Sequence, residues 1–216
     1  MSDVARTIRT FDVLCQLMTE ARGWTVNMSR SCKTPNRAMF RTWFHTNKDG
    51  RLAVALFLAA PTQMPTVKAI KAAMLTAIGD AGMGGAEAKL TELDLSVLLL
   101  HDYGANTIRR DVSSFLETLR IESNGRFRVE LWNIATLQYN VLRCADVPQH
   151  RLIEPATYAT AVPCAISVLP LMLVSDPVAR AMGLVPGDVI SVERTDSRVG
   201  KTTYWRRVID DSVSTK

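Results

Sequence analysis

The stretch from Leu169 to Ile209 leaves the chain little choice of local fold. Asp176 is placed to cap a helix, and Pro177 suits the first helical position, where a missing N–H costs nothing. Val178, Ala179, Arg180, Ala181 and Met182 fill a short helix that Gly183 can close in the left-handed conformation. Pro186-Gly187 makes a turn, after which Ile190 and Val192 alternate with Ser191 and Glu193 as in a half-buried strand. Beyond a loop at Gly200, a second strand is expected from Thr202 to Ile209. Its Tyr204 and Arg206 share one face, and Thr203, Trp205 and Arg207 the other. Large groups on both sides imply burial against something on each face.

Upstream, Ile8, Phe11, Cys15 and Met18 recur at helical spacing, and Gly23 can end that helix with Trp24 folding back on its last turn. Asn27 to Asn36 is polar and reads as a loop. Two strands, Met39 to Phe44 and Leu52 to Leu58, are expected around a turn at Asn47 to Gly50. A helix fits Thr66 to Ile78, a buried strand Leu93 to Leu100, a helix Asn106 to Leu119, and a strand pair Phe127 to Val141. This order predicts an α+β protein with a mixed sheet flanked by helices. A polar junction at Val147 to His150 sets the expected domains at 1–145 and 146–216. The second has roughly 70 residues, near the lower limit for independent stability, so it would gain from docking on a partner.

Chemistry is sparse. Val199-Gly200-Lys201-Thr202-Thr203 contains the core of a phosphate-binding loop, but the glycine required five residues earlier is Thr195. A strand-like run, Tyr204-Trp205-Arg206, also follows where a helix is needed. Gly82, Gly84 and Gly85 follow a helix instead of the strand that a dinucleotide fingerprint requires. His101-Asp102 ends a strand, where α/β enzymes place catalytic groups, yet neighbours in a strand point apart and form no dyad. Cys15, Cys32, Cys144 and Cys164 are scattered without close pairs, which argues against zinc and predicts mostly buried thiols. No cofactor, metal or catalytic residue is expected. No window is long and apolar enough to span a membrane, and the first residues lack the apolar core of a signal peptide.

The formal charge of +5 favours acidic partners, nucleic acid among them. Arginines and lysines gather at Arg30, Lys33, Arg37 and Arg41, at Arg109-Arg110, and at Arg194, Arg198, Lys201, Arg206 and Arg207. Each group could face phosphates or a protein. Three functions stay open on this reading: a structural subunit, a free-standing basic nucleic-acid-binding module, and a small α/β enzyme using His101.

The C-terminal residues Leu169-Pro170, Asp176-Pro177-Val178-Ala179-Arg180, Gly183, Gly187, Val189-Ile190, Arg194, Gly200, Trp205-Arg206 and Val208 resemble the fifth subunit of eukaryotic nuclear RNA polymerases. That subunit's C-terminal domain corresponds to a small archaeal polymerase subunit. Weaker likeness continues through Val147-Pro148 with His150, Val67 to Lys71, Leu95 to Leu100 with Gly104, and Arg6 to Val26.

The resemblance implies an N-terminal jaw domain that reaches toward downstream DNA. It also implies a small C-terminal α+β domain that docks on the largest subunit and helps assembly, with other polymerase subunits as further partners. The family's DNA-approaching loop falls at Asn106-Thr107-Ile108, followed by Arg109 and by Arg110 where the family has lysine. A nuclear location follows. Leu171 replaces a family arginine, Ser191 a strand lysine, and Ala181-Met182 aromatic residues, while Pro163 interrupts a helix expected before Leu169. These departures suggest a divergent copy dedicated to one polymerase class, with nucleolar polymerase I the leading candidate over a copy shared by all three classes.

Overall fold

The computed structural model describes residues 2–32, 37–46, 51–83, 93–104, 109–196, 198 and 200–211. The chain is α+β and divides into two compact units, 1–139 and 140–216. The division lies ahead of the 145/146 junction expected from composition. A short 3-10 turn at Val141–Arg143 explains this, because Val141 and Leu142 pack into the core of the second unit.

In the first unit a five-stranded sheet runs β1-β2-β3-β4-β5. Its strands are β1 (Trp24–Cys32), β2 (Arg41–Thr46), β3 (Leu52–Phe57), β4 (Leu95–His101) and β5 (Arg128–Asn133). β1, β2 and β3 pair antiparallel, whereas β3, β4 and β5 pair parallel. The parallel pairs require long crossovers, which contain α2 (Val67–Ala81) and α3 (Arg110–Glu122). All of β4 is buried, which is why its sequence is a near-continuous apolar run.

Alternate residues of the sheet face opposite layers. Val54, Leu56, Val97 and Leu99 pack with Ile70, Met74 and Ile78 of α2 and Val112 and Leu119 of α3. On the other side, α1 (Asp3–Gln16) delivers Phe11 edge-on to Phe40, which in turn meets Phe57 edge-on at 5.3 Å. Of the residues expected on the buried stripe of α1, Phe11 and Met18 are buried but Ile8 is 49% exposed. Thr7 and Thr10 take the buried places, their hydroxyls satisfied by carbonyls one turn back.

Other expectations are corrected. Asn27–Asn36 is not a loop throughout, since β1 extends to Cys32. Polar Asn27 and Ser31 act inside the strand, where Ser31 Oγ accepts the N–H of Trp43 at 3.0 Å. Trp24 does not fold back on α1. It opens β1 and stacks beside Phe44, with the Arg22 guanidinium over its ring. α3 starts at Arg110 rather than Asn106. The expected strand pair from Phe127 to Val141 is one strand, β5, followed by a 3-10 turn at Ile134–Leu137. Asn133 causes the change, its side chain accepting the N–H of Ala135 and so diverting the backbone from the sheet.

The second unit is a four-stranded sheet in the order β6-β8-β9-β7, formed by β6 (Gln149–Ile153), β7 (Leu171–Leu173), β8 (Val189–Asp196) and β9 (Gly200–Ile209). A one-turn helix, α4 (Tyr158–Ala161), precedes Pro163, and α5 (Pro177–Met182) follows β7. One face of the sheet packs Ile190, Val192 and Val208 against Val178, Ala179 and Leu184. The other packs Val189 and Trp205 against Tyr158, Val162, Ile166 and Leu169. Both faces are covered where Val189, Ile190, Val192 and Val208 lie, but the expected burial does not extend along the whole strand, since Tyr204 is exposed and Thr203, Trp205, Arg206 and Arg207 are only half-buried.

Asp102 is a fastening point of the first unit. Its carboxylate receives both terminal nitrogens of Arg6, at 2.8 and 3.0 Å, and one of Arg37 at 3.1 Å. Arg37 also bonds Asp3. The pairing joins α1 to the end of β4 in a partly desolvated setting, where removal of one partner costs more than an exposed ion pair is worth. Asp102→Ala should lower unfolding free energy by about 2–3 kcal/mol, read as a shift in urea midpoint. A shift below about 0.5 kcal/mol would exclude a fastening role.

Candidate docking surface

The expected caps and turns of the C-terminal motif are all present. Asp176 Oδ1 accepts the N–H of Val178 at 2.8 Å, and Pro177 begins α5. Gly183 closes it at φ 69°. Gly187, at φ 100°, donates its N–H to the carbonyl of Val208 at 2.9 Å. Val178 and Ala179 are buried, and Arg180 lies in the last turn of the same short helix. Gly200 turns the chain into β9 at φ 76°.

The remaining motif residues converge elsewhere. Leu169, Pro170, Arg194, Trp205 and Arg206 line one groove of about 410 Å³, together with Cys164 and Tyr204. Pro170 is exposed and Leu169 is buried at its base. The Arg194 guanidinium lies over the Tyr204 ring at 5.7 Å, and Tyr204 itself is 49% exposed. The motif therefore divides into residues that shape the backbone and residues that present a surface. Of the two losses of basic charge, only one is exposed: Leu171 follows the groove residue Pro170 and is 48% exposed, whereas Ser191 is buried within the sheet.

The Gly-Lys-Thr sequence lies in the β8–β9 hairpin, with Lys201 opposite Thr195 and Thr202 opposite Arg194. Its N–H groups belong to a strand ladder, not to a helix N-terminus, so the phosphate-loop geometry is absent. Lys201 Nζ meets Glu193 at 2.7 Å. Gly82 closes α2 at φ 71°, a capping role, while Gly84 and Gly85 lie outside the described residues.

His101 is buried, and its Nδ1 accepts the N–H of Tyr103 at 3.3 Å. With Asp102 engaged by two arginines, the pair has no acid–base geometry. Among the described residues no group of three His, Cys, Asp or Glu side chains could hold a metal ion, and no helix is long and apolar enough to cross a membrane. The thiols correct the expectation of burial: Cys15 and Cys144 are half-buried and Cys164 is exposed.

The basic residues of the first unit are largely engaged internally. Arg30 donates to the Asp80 carbonyl and covers Trp43, Arg41 bonds the Asp80 carboxylate, and Arg37 bonds Asp102. Lys33, Asn106, Thr107 and Ile108 lie outside the described residues. Arg109 precedes α3 and donates to Asp111 Oδ1 at 3.0 Å, while Arg110 is exposed on the first turn. The fastening carboxylate Asp102 and the groove were invisible to sequence reasoning, because both depend on residues far apart in the chain.

Removing the Asp176 cap by Asp176→Ala should cost on the order of 1 kcal/mol, measured by chemical denaturation; an unchanged stability would exclude the capping role. The hydrogen bond from Lys201 lowers the Glu193 pKa, aided by the charges of Lys201 and Arg151. A depressed carboxyl contributes stability above its unfolded pKa and loses that contribution as pH falls through the lower folded value. Lys201→Gln should raise the Glu193 titration midpoint toward the ordinary carboxylate range in an NMR titration. An unmoved midpoint would assign the depression to another group.

Residues 139–208 match the family RNA polymerase Rpb5, C-terminal domain. The DNA-directed RNA polymerase subunit Rpo5 of Thermococcus kodakarensis is 34% identical over 80 residues, spanning 36% of this chain and 98% of that protein. The subunit of the same name from Thermococcus celer is 35% identical over 77 residues, covering 34% and 94%. That of Nitrosopumilus maritimus is 33% identical over 67 residues, covering 30% and 81%. The match takes in nearly the whole length of the archaeal subunit, and the chain belongs to the Rpb5 family of DNA-directed RNA polymerase subunits.

Proposed function

We propose that the chain is a non-catalytic subunit of a DNA-directed RNA polymerase, with its C-terminal unit docking on the largest subunit. The observation that carries this reading is the groove built from Leu169, Pro170, Arg194, Trp205 and Arg206, within the segment that matches the family. The N-terminal unit is the jaw, with Arg109 and Arg110 beside the segment that would approach downstream DNA. A phosphate contact there would add a salt-dependent term to an affinity set mainly by protein contacts.

The other two functions have less support. A free-standing nucleic-acid module is weakened at one of the three basic groups, because Arg30, Arg37 and Arg41 are engaged with protein acceptors. An enzyme at His101 needs a carboxylate that Arg6 and Arg37 already hold.

The copy serves one polymerase class, polymerase I in the nucleolus. Exposed Leu171 supports this reading, because an apolar group where the family carries arginine changes what the surface can accept. Affinity purification of the tagged chain, with identification of the large subunits recovered, tests both levels. Recovery of polymerase I alone is expected. Recovery of polymerases II and III as well would overturn class specificity, and recovery of no polymerase would overturn the subunit assignment.

A further inference from the structure

We infer that the groove is a strand-addition site, in which an extended segment of a polymerase partner, alternating acidic and apolar side chains, pairs with the open edge of β9. The inference deepens the subunit reading and rests on it. Its basis is the unequal pairing of the two edges of β9. β8 pairs with β9 from Gly200 to Arg207 without interruption, but β7 pairs only with Arg207, Val208 and Ile209.

The direction of each backbone group follows from two hydrogen bonds. Arg207 donates its N–H to Pro170 on the β7 side, and Val208 donates to Asp188 on the β8 side. Strand residues alternate in the edge to which their N–H and C=O point. Trp205 and Thr203 therefore present both groups to the edge that β7 would cover if it were longer. Pro170 is why it is not longer. With Leu171 opposite Arg207, a continued parallel ladder would bring the residue 170 N–H to the carbonyl of Trp205, and proline has no N–H. The preceding residues instead form a 3-10 turn at Ile166–Val168. Among the described residues, no hydrogen-bond partner is recorded for the edge-facing groups of Thr203 and Trp205.

The side chains around this edge define what fits. On one side of the sheet, the apolar Leu169 and Trp205 form the groove wall. On the opposite side stand Tyr204 and Arg206 of β9, facing Val192 and Ile190, with Arg194 of β8 opposite Thr202 and its guanidinium over the Tyr204 ring. Val168 and Leu171, which flank the Leu169-Pro170 pair, are 69% and 48% exposed. An entering strand would satisfy the backbone of Thr203 and Trp205, place apolar side chains against Leu169 and Trp205, and turn carboxylates toward Arg194 and Arg206. Backbone pairing supplies affinity in such an arrangement and alternate side chains supply selectivity. A long unpaired edge is otherwise a hazard of self-association.

The test is hydrogen–deuterium exchange of the full chain, alone and within the purified polymerase. The Thr203 and Trp205 amides should exchange at least about tenfold more slowly in the assembly. Arg194→Glu combined with Arg206→Glu should reduce recovery of the polymerase by about tenfold or more, whereas Arg151→Glu should not. Thr203→Pro, which removes an edge-facing N–H and no β8 bond, should act like the double charge reversal. Should that variant fail to fold, exchange in the unaltered chain decides. Co-purification with unprotected Thr203 and Trp205 overturns the strand-addition site and leaves the subunit reading intact. Protection that grows with concentration of the chain alone assigns the edge to a second copy and overturns the partner. Absence of any polymerase overturns the underlying reading and this site with it.

Discussion

The backbone ladder of β9 carries the second unit. Its ten residues join the antiparallel hairpin to β8 and the short parallel strand β7, and they separate two small apolar layers. Each layer is too small to hold a domain of this size alone. Val208 belongs to one and Trp205 to the other, so one strand aligns both. The tight turn at Gly187 is fixed to this strand as well, through its N–H to Val208 and the return bond from Val208 to Asp188. The same economy leaves one edge only partly covered, because β7 begins at the first residue after Pro170.

In the first unit the comparable constraint is long-range charge pairing. Asp102 gathers Arg6 and Arg37, while Arg22, 5% exposed in its side chain, is held by Glu130 at 2.7 Å and lies near the rings of Trp24 and Trp132. Guanidinium groups suit this work because their planar forks meet a carboxylate with two bonds and can also lie over aromatic faces. A basic composition thus says little about nucleic acid until the partners of each arginine are known. Much of the positive charge in this unit is spent within it, on carboxylates, carbonyls and rings.

Several features were legible from sequence because neighbouring residues determine them. Asp176-Pro177 and Gly183 specify their helix through local backbone chemistry, and the apolar run of β4 announces burial on both faces. The missing parts have non-local causes. β1 carries exposed Met28, Ser29 and Arg30, so its edge position erases the apolar pattern that marks an inner strand. β7 has three residues, too few for any periodicity. Ile134 and Leu137 mimic strand alternation, but the Asn133 side chain redirects them into a turn. The groove shares this difficulty: its residues were visible as a motif, yet their convergence follows from where β7 stops.

The division of the motif separates family from partner. Caps and left-handed glycines answer demands of the backbone, so they identify the scaffold without describing what it touches. Pro170, Arg194, Trp205 and Arg206 answer to the surface, and exposed Leu171 follows Pro170 in the chain. Ser191 shows how the distinction changes an inference: as a lost lysine it suggested an altered contact face, but its burial makes it a packing substitution. Leu171 alone retains that meaning, since an exposed leucine can bury apolar area where a cation would seek a carboxylate. The caps and left-handed glycines therefore leave the side chains beside the open edge of β9 free to vary, because the backbone conformation they fix does not depend on what that edge displays.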